Sequence, residues 1–223
     1  PSIHWEEVRQ ANIGLDLSMW RSRVNLSVDA YLKNTADMLV KAAIPITSGY
    51  EDTTTTYTNA GKVRNSGFEF TLNTINFDST GDGFRWETSL TATWNRNKII
   101  SLNSDTPLYQ NETGGTYITM QKNGEPINVF YGYVTDGIFQ TQDEVDNHAF
   151  QESSTAPGDI RFKDLNNDGV INEKDRTIIG NPNPDWLFSM TNNFYFKGFD
   201  LTIFLQGITG NEIFNAVDIG NEG

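Results

Sequence analysis

The sequence contains no cysteine, so no disulfide bond can stabilise the fold and no thiol can act as a nucleophile. Basic residues are scarce, with 16 Lys and Arg against 29 Asp and Glu, and the net charge is −13. This balance argues against nucleic-acid binding, which requires a basic face. No apolar run approaches the roughly 20 residues of a transmembrane helix, and the first residues lack the basic start and apolar core of a signal peptide.

Signatures of catalysis are equally scarce. The sequence has no G-x-S-x-G and no phosphate-binding loop, and His4 and His148 do not have the spacing of a zinc site. Acidic residues are plentiful, but no two of them stand out as a glycosidase pair. We therefore predict that the protein is not an enzyme.

What the chain does contain is period-two alternation of apolar and polar residues, the pattern of half-buried β-strands. Six segments show it, at 10–18, 24–33, 67–73, 84–95, 186–196 and 199–206. The connections between them alternate in length: short turns follow the first, third and fifth segments, whereas long connections span about 33–66 and 97–185. In an antiparallel sheet this places all short turns at one end and all long loops at the other. Outer-membrane barrels have this arrangement.

Two architectures fit such a pattern, a soluble sandwich or jelly roll and a membrane barrel. The polar faces carry Ser, Thr, Asn and Asp rather than Lys, and aromatic residues gather near the short turns, both of which favour the barrel. Six strands cannot enclose a polar lumen, so we predict an all-β, antiparallel up-and-down segment of a larger transmembrane barrel with two open edges. Its lumen side would carry Asp16, Asp29, Glu69, Glu87 and Asn95.

The second long connection holds a segment of a different kind, DLNNDGVINEKD at 164–175, which has the spacing of an EF-hand or dockerin-like calcium loop. Gly169 at position six permits the sharp turn, and Asp175 at position twelve replaces the usual Glu. The predicted ligands are the side chains, or for Val170 the carbonyl, of Asp164, Asn166, Asp168, Val170, Asn172 and Asp175. We predict a structural Ca²⁺ ion that folds a loop too polar to fold by burial; an Asx-rich turn without an ion is the alternative.

Between Gly124 and Gln140 the sequence is rich in glycine and aromatic residues. Tyr131, Tyr133 and Phe139 are candidates for a face that stacks on sugar rings, or for the packed base of the loop. Packing is the favoured interpretation, because aromatic residues dominate local cores.

Several stretches together resemble the SusC/RagA family, the TonB-dependent outer-membrane transporters of Bacteroidetes. They run in the family's order and are IHWEEVRQANIGLDL, VDAYLKNTADMLV, IPITSGYEDTTTTYTNAGKVRNSGFEFTL, NGEPINVFYGYVTDGIF, PGDIRFKDLNNDGVINEKDRTIIGNPNPDW and FDLTIFLQGITGNEIFN. Only the region from about 101 to 119 and the tip at about 143–156 look idiosyncratic.

The resemblance implies that residues 1–223 are a late part of a 22-stranded barrel domain, with the plug domain, the TonB box and the final strands outside the sequence. It implies a place in the Gram-negative outer membrane and nutrient uptake, with glycans or oligopeptides as substrate. The implied partners are TonB, acting through the missing N-terminal part, a SusD-like surface lipoprotein and outer-membrane lipid. The runner-up function is a secreted, calcium-stabilised carbohydrate-binding β-sandwich module.

Overall fold

A computed structural model describes residues 3–43, 55–79, 83–102, 106–113 and 116–215. The chain divides into two units. The first unit is built from 1–108, 122–127 and 183–212, and the second from 109–121, 128–182 and 213–223. In the described ranges no helix has the length and apolarity needed to cross a membrane.

Nearly all regular structure is β-strand. The strands are β1 (Glu7–Met19), β2 (Val24–Ala43), β3 (Thr55–Asp78), β4 (Arg85–Leu102), β5 (Leu108–Thr113), β6 (Thr116–Gln121), β7 (Val129–Tyr133), β8 (Thr135–Ile138), β9 (Ile160–Phe162), β10 (Arg176–Gly180), β11 (Trp186–Phe196) and β12 (Phe199–Thr209). One short helix, α1, spans Gln142–Asp146, and a 3₁₀ turn spans Glu173–Asp175.

The first unit is a six-stranded antiparallel sheet with the order β1-β2-β3-β4-β11-β12. All six strands predicted from the alternation form, and each pairs with the next one in the predicted up-and-down sequence. The tight turn between β11 and β12 consists of Lys197 and Gly198, both with positive φ (48° and 82°), as a two-residue hairpin turn requires. In the described residues β1 and β12 are the edges, so this sheet is open rather than closed into a barrel.

The strands continue beyond the alternating segments. β2 extends to Ala43 and β3 begins at Thr55, so the connection expected at about 33–66 begins and ends as regular strand. β4 ends at Leu102, so the connection expected at about 97–185 also begins as strand. A β-bulge interrupts the alternation of β2 between Thr35 and Met38, where Asp37 has φ of 58°. Because a bulge shifts the phase of the side chains, the period-two signal stops there although the backbone pairing goes on.

A small apolar core lies at the end of this sheet opposite the short turns. Ile99, Val63 and Leu102 are buried, and Met38, Leu108 and Ile127 pack against them. Ile99 is fully buried, and its backbone exchanges hydrogen bonds with Gly124 and Glu125. This cluster ties residues 122–127 to β4.

The second unit contains a four-stranded sheet, β10-β7-β6-β5, and a two-stranded sheet of β8 and β9. Its buried apolar side chains are Met120, Val129, Phe139 and Ile171. The burial of Phe139, whose ring meets His148 edge-on at 5.2 Å, confirms the packing interpretation for that residue. Arg161 on β9 bonds to the Asp136 carbonyl and forms ion pairs with Asp136 and Glu144 at 3.7 and 3.8 Å.

Replacing Ile99 with Ala should destabilise the long-connection end of the sheet by about 2–5 kcal/mol, because it leaves a cavity in a closely packed cluster. The neighbouring Ile100, 41% exposed, offers the matched control Ile100→Ala. Thermal unfolding of the full-length protein in detergent measures both variants, and an equal shift for the two would contradict this account of the core.

Candidate functional site: a two-faced sheet and an acidic loop

One face of the six-stranded sheet is apolar from edge to edge. The pairing register aligns apolar side chains from all six strands into one row, which consists of Leu17, Leu26, Leu72, Leu90, Met190 and Leu205. The next row towards the long connections contains Leu15, Val28, Phe70, Ala92, Phe188 and Gly207. These side chains face outwards, with Phe188 49% and Leu205 55% exposed. An exposed apolar surface of this extent marks an interaction with a protein or a membrane.

Aromatic clusters border these rows at both ends. Near the short turns, Phe84 and Trp86 stack on Phe194 at 6.2 and 5.7 Å. At the other end, Phe68 lies 5.2 Å from Trp94 and 5.6 Å from Trp186. The sequence predicted only the first cluster, because Phe68, Trp94 and Trp186 lie on three different strands and meet through the register alone.

The spacing of the two clusters is close to the thickness of an apolar membrane layer. Trp86 and Trp94 are eight positions apart on β4, which is about 27 Å at about 3.3 Å per residue. A strand tilt of about 40° reduces this to about 20 Å, near the ~25 Å height of the apolar band on outer-membrane barrels.

Three polar residues in the middle of the sheet, Thr74, Thr88 and Asn192, interrupt the apolar face beside the short-turn cluster, and their row continues on either side with the apolar Val24 and Ile203. The Asn192 side-chain oxygen accepts hydrogen bonds from Trp86 Nε1 at 3.0 Å and Thr88 Oγ1 at 2.7 Å. Thr88 Oγ1 also accepts from Asn76 Nδ2 at 2.6 Å. The polar atoms of this row are therefore bonded to one another, which lowers the cost of an apolar surrounding.

The opposite face of the sheet is polar, and the register places all five predicted lumen residues on it. Asp29 pairs directly with Glu69, while Asp16, Glu87 and Asn95 pair with Ser27, Asn193 and Gly67. Tyr31 donates to Asn95 Oδ1 at 2.9 Å, and its ring lies over Gly67, where a Cβ atom would meet the hydroxyl at 2.9 Å. The same Cβ atom would come still closer, 2.2 Å, to the backbone carbonyl oxygen of Trp94, so the neighbouring strand and the tyrosine ring both require glycine at this position.

Apolar side chains interrupt the polar face at several positions. Leu187, Phe204 and Ile208, on β11 and β12, are 41–56% exposed on the side that carries Ser189 and Gln206. Leu187 and Ile208 line a cavity of about 500 Å³ together with Thr91 and Gln206. The alternation alone had suggested a uniformly polar face.

In the second unit, the acidic loop at 164–175 is closed by hydrogen bonds from its own backbone. The two Asp164 oxygens accept from the amides of Gly169 at 2.8 Å and Asp168 at 3.3 Å, and Asp168 Oδ1 accepts from Val170 N at 3.0 Å. Gly169 has φ of 82°, and a Cβ there would meet nothing within 4 Å, so glycine is needed for the backbone angle and not for space.

Asp175 organises the loop from its C-terminal end. Its carboxylate is fully buried and accepts from the amides of Leu165, Asn166 and Asn172 at 2.9, 3.4 and 2.9 Å. The hydrogen bond from Asn172, and then those from Leu165 and Asn166, lower the pKa of Asp175 below its ordinary value, because they stabilise the charged form.

The loop is also anchored by a buried apolar residue. Ile171, at position eight, is buried, and its amide donates to the Phe150 carbonyl at 2.8 Å. The Phe150 amide donates in turn to the Gly169 carbonyl oxygen at 2.9 Å. These two backbone hydrogen bonds hold the middle of the loop against the segment around Phe150.

The loop offers the oxygen ligands that a calcium ion requires. All six predicted positions supply oxygen, and each carboxylate oxygen that accepts one amide keeps a second lone pair. In the described ranges no basic side chain forms an ion pair with Asp164, Asp168 or Asp175. No set of three or more acidic or His side chains converges there in ion-binding geometry either. The chemistry fits Ca²⁺, while the side chains are turned towards the backbone amides.

An up-and-down antiparallel sheet with one apolar face, one polar face and aromatic borders defines the class of β-barrel walls. Residues 1–122, more than half of the chain, match the family described as TonB dependent receptor-like, beta-barrel. The chain belongs to this family, and the resemblance seen in the sequence is confirmed.

Among curated proteins, the chain is 33% identical over 218 residues to TonB-dependent receptor P3 of Formosa agariphila, covering 96% of the chain and 21% of the relative. It is 29% identical over 221 residues to TonB-dependent receptor SusC of Bacteroides thetaiotaomicron, covering 96% of the chain and 20% of that relative. The chain thus spans about a fifth of the length of these relatives.

Solved structures of the RagAB peptide transporter have the same fold. One superposes with a TM-score of 0.71 at 22% identity, over 92% of this chain and 21% of the other. A second, the RagAB peptide importer in its "open-open" state, superposes with a TM-score of 0.70 at 21% identity, over 95% of this chain and 21% of the other.

Replacing Asp175 with Ala should open the acidic loop, because three backbone amides lose their acceptor. We expect hydrogen exchange at Leu165, Asn166 and Asn172 to accelerate at least about tenfold. Glu173→Ala removes an exposed carboxylate of the same turn and should leave these rates unchanged. Unaltered exchange in the Asp175 variant would show that the carboxylate does not hold the loop.

Proposed function

We propose that this chain forms part of the wall and outer loops of a TonB-dependent importer in the Gram-negative outer membrane. The apolar face would lie against lipid and the polar face, with Asp29 and Glu69, against the lumen. The observation that carries the proposal is the set of apolar rows crossing all six strands between two aromatic clusters. Water is a poor solvent for such a surface, whereas a bilayer is a good one.

The open edges of the sheet fit the same proposal. An unpaired strand edge cannot stay in a bilayer, because its amide and carbonyl groups would find no hydrogen-bond partners there. We infer that β1 and β12 pair with further strands of a longer protein, which closes a barrel of about 22 strands as in outer-membrane transporters of this size. The plug and the TonB-contacting segment would belong to that longer protein.

Substrate and partners follow from the relatives. RagAB is named as a peptide transporter and SusC as a TonB-dependent receptor. We infer that the complete protein takes up glycans or oligopeptides, works with TonB, and is covered on its outer side by a SusD-like lipoprotein. Its work is transport and not catalysis.

The acidic loop would serve this importer as a calcium-stabilised part of the long connection 97–185. That connection carries much of the acidic excess, with 14 acidic and 5 basic residues from 101 to 185. A bound Ca²⁺ ion would neutralise part of this charge and draw Asp164, Asp168 and Asp175 together. The Asp175 carboxylate is buried and forms no ion pair with any described residue, which supports this proposal.

The alternative, a secreted carbohydrate-binding sandwich, needs a second sheet packed on the apolar face. In the described part of the first unit no such sheet is present, and the apolar rows remain exposed.

A charge placed on each face tests the membrane proposal. Leu205→Arg in the full-length protein puts a guanidinium on the apolar face and should destabilise the barrel by about 2–4 kcal/mol. The adjacent Gln206→Arg puts the same group on the polar face and should be tolerated. Outer-membrane fractions are analysed for the folded, heat-modifiable species. Equal assembly of the two variants, or a full-length protein soluble without detergent, would refute the proposal.

Calcium titration of the full-length protein tests the loop. We expect binding with a Kd of about 10⁻⁴–10⁻³ M, the range of extracellular modules, measured calorimetrically with CaCl₂. Asp168→Ala should weaken this binding at least about tenfold, because it removes the position-five oxygen. Asp143→Ala, an exposed carboxylate of α1, is the matched control. A titration that is identical for wild type and Asp168→Ala would exclude an ion in this loop.

A further inference from the structure

A line of aromatic rings crosses the four-stranded sheet of the second unit. Tyr109 lies 6.2 Å from Tyr117, stacked at 29°, and 5.0 Å from Tyr131. Tyr133 continues the line to Phe162 at 5.1 Å. The sequence singled out Tyr131 and Tyr133 but gave no sign that Tyr109 and Tyr117 join them, because these residues come from β5 and β6.

The rings differ in exposure. Tyr131 and Tyr133 are half-buried, whereas Tyr109 is 42% and Tyr117 46% exposed. The line therefore has an inner part that packs within the unit and an outer pair that faces solvent. We call Tyr109 and Tyr117 the tyrosine pair.

An arginine holds the inner part in place. The Arg176 guanidinium lies 4.6 Å from the centre of the Tyr131 ring and 5.7 Å from that of Tyr133. It donates to the carbonyl oxygens of Tyr117 and, at 3.5 Å, Tyr131. The guanidinium therefore joins the backbones of β6 and β7.

The tyrosine pair is fixed to this inner part. The Tyr109 ring packs against the Tyr131 ring at 5.0 Å, and Tyr131 is held in turn by Arg176. Burial, and then the interaction with Tyr109, raises the pKa of Tyr131 to about 12. A ring held in this way loses little conformational freedom when a ligand stacks on it.

Neutral polar side chains surround the same strands. Gln121 Nε2 donates to Gln110 Oε1 at 3.0 Å and Asn128 Oδ1 at 3.2 Å, and Asn111 Nδ2 donates to Thr119 Oγ1 at 2.9 Å. Amides donate and accept hydrogen bonds without carrying charge. These groups suit hydroxyl-rich ligands.

We propose that the tyrosine pair is a stacking platform for a sugar ring of a neutral glycan. The C–H face of a sugar ring carries partial positive charge and matches the negative face of a tyrosine ring, while ring hydroxyls bond to neighbouring amides. The proposal rests on the importer function above and assigns it a substrate class.

Electrostatics restricts the glycan to uncharged sugars. The segment 101–185 has a net charge of −9, which repels uronates and sulfated sugars. The basic residue nearest the rings, Arg176, is already engaged by two carbonyl oxygens and two aromatic rings. A peptide would bind differently, by adding to the edge strand β5 through its backbone, and would not depend on the tyrosine rings.

The test uses the full-length protein in detergent and an array of neutral gluco-, xylo-, manno- and galacto-hexasaccharides, with hexagalacturonate and a hexapeptide pool beside them. We expect at least one neutral hexasaccharide to bind. Tyr109→Ala and Tyr117→Ala should each weaken that binding at least about tenfold. Tyr109→Phe and Tyr117→Phe, which keep the rings, should change it less than about threefold.

Any other pattern overturns the platform: no neutral hexasaccharide bound, binding of hexagalacturonate or peptides only, or neutral binding that survives both alanine substitutions. The same variants are checked for the heat-modifiable folded species. Normal assembly with absent sugar binding refutes the platform and leaves the importer proposal intact, whereas failure of the Leu205 and Gln206 comparison refutes the importer itself.

Discussion

The pairing register of the six-stranded sheet is the constraint on which the two-faced surface depends. Because side chains alternate with a period of two, a slip of one residue in any strand would turn its apolar set to the other face. A slip in β2, for example, would carry Asp29 into the row of Val28 and Phe70. Both aromatic clusters and the lumen face depend on the same register, since each combines residues from several strands.

Polar groups on the apolar face are accommodated by bonding them to one another. Asn192, Thr88 and Trp86 satisfy each other beside the short-turn cluster, so the apolar surface is interrupted without leaving bare polar atoms. At the bulge in β2, a side chain likewise satisfies a polar group, the backbone carbonyl of Asp37. The Asn59 side chain donates to the Asp37 carbonyl at 2.7 Å, which satisfies a backbone group that the bulge removes from the ladder.

The second unit uses side chains where strand pairing is incomplete. Asp175 accepts three backbone hydrogen bonds in the acidic loop, and Arg176, the next residue, reaches the carbonyl oxygens of two strands. Neighbouring residues thus organise the proposed calcium loop on one side and the tyrosine rings on the other.

The sequence by itself determined the features that depend on near neighbours. Alternation located β11 at its observed bounds, 186–196, and the spacing of Asp164 to Asp175 identified the acidic loop. Only the tertiary structure decided which residues of distant segments meet. Phe68 joins Trp186 across more than a hundred positions, and Tyr109 joins Tyr131 from a strand too short to show alternation. Local patterns encode which way a side chain points, whereas pairing register and strand order decide what it touches.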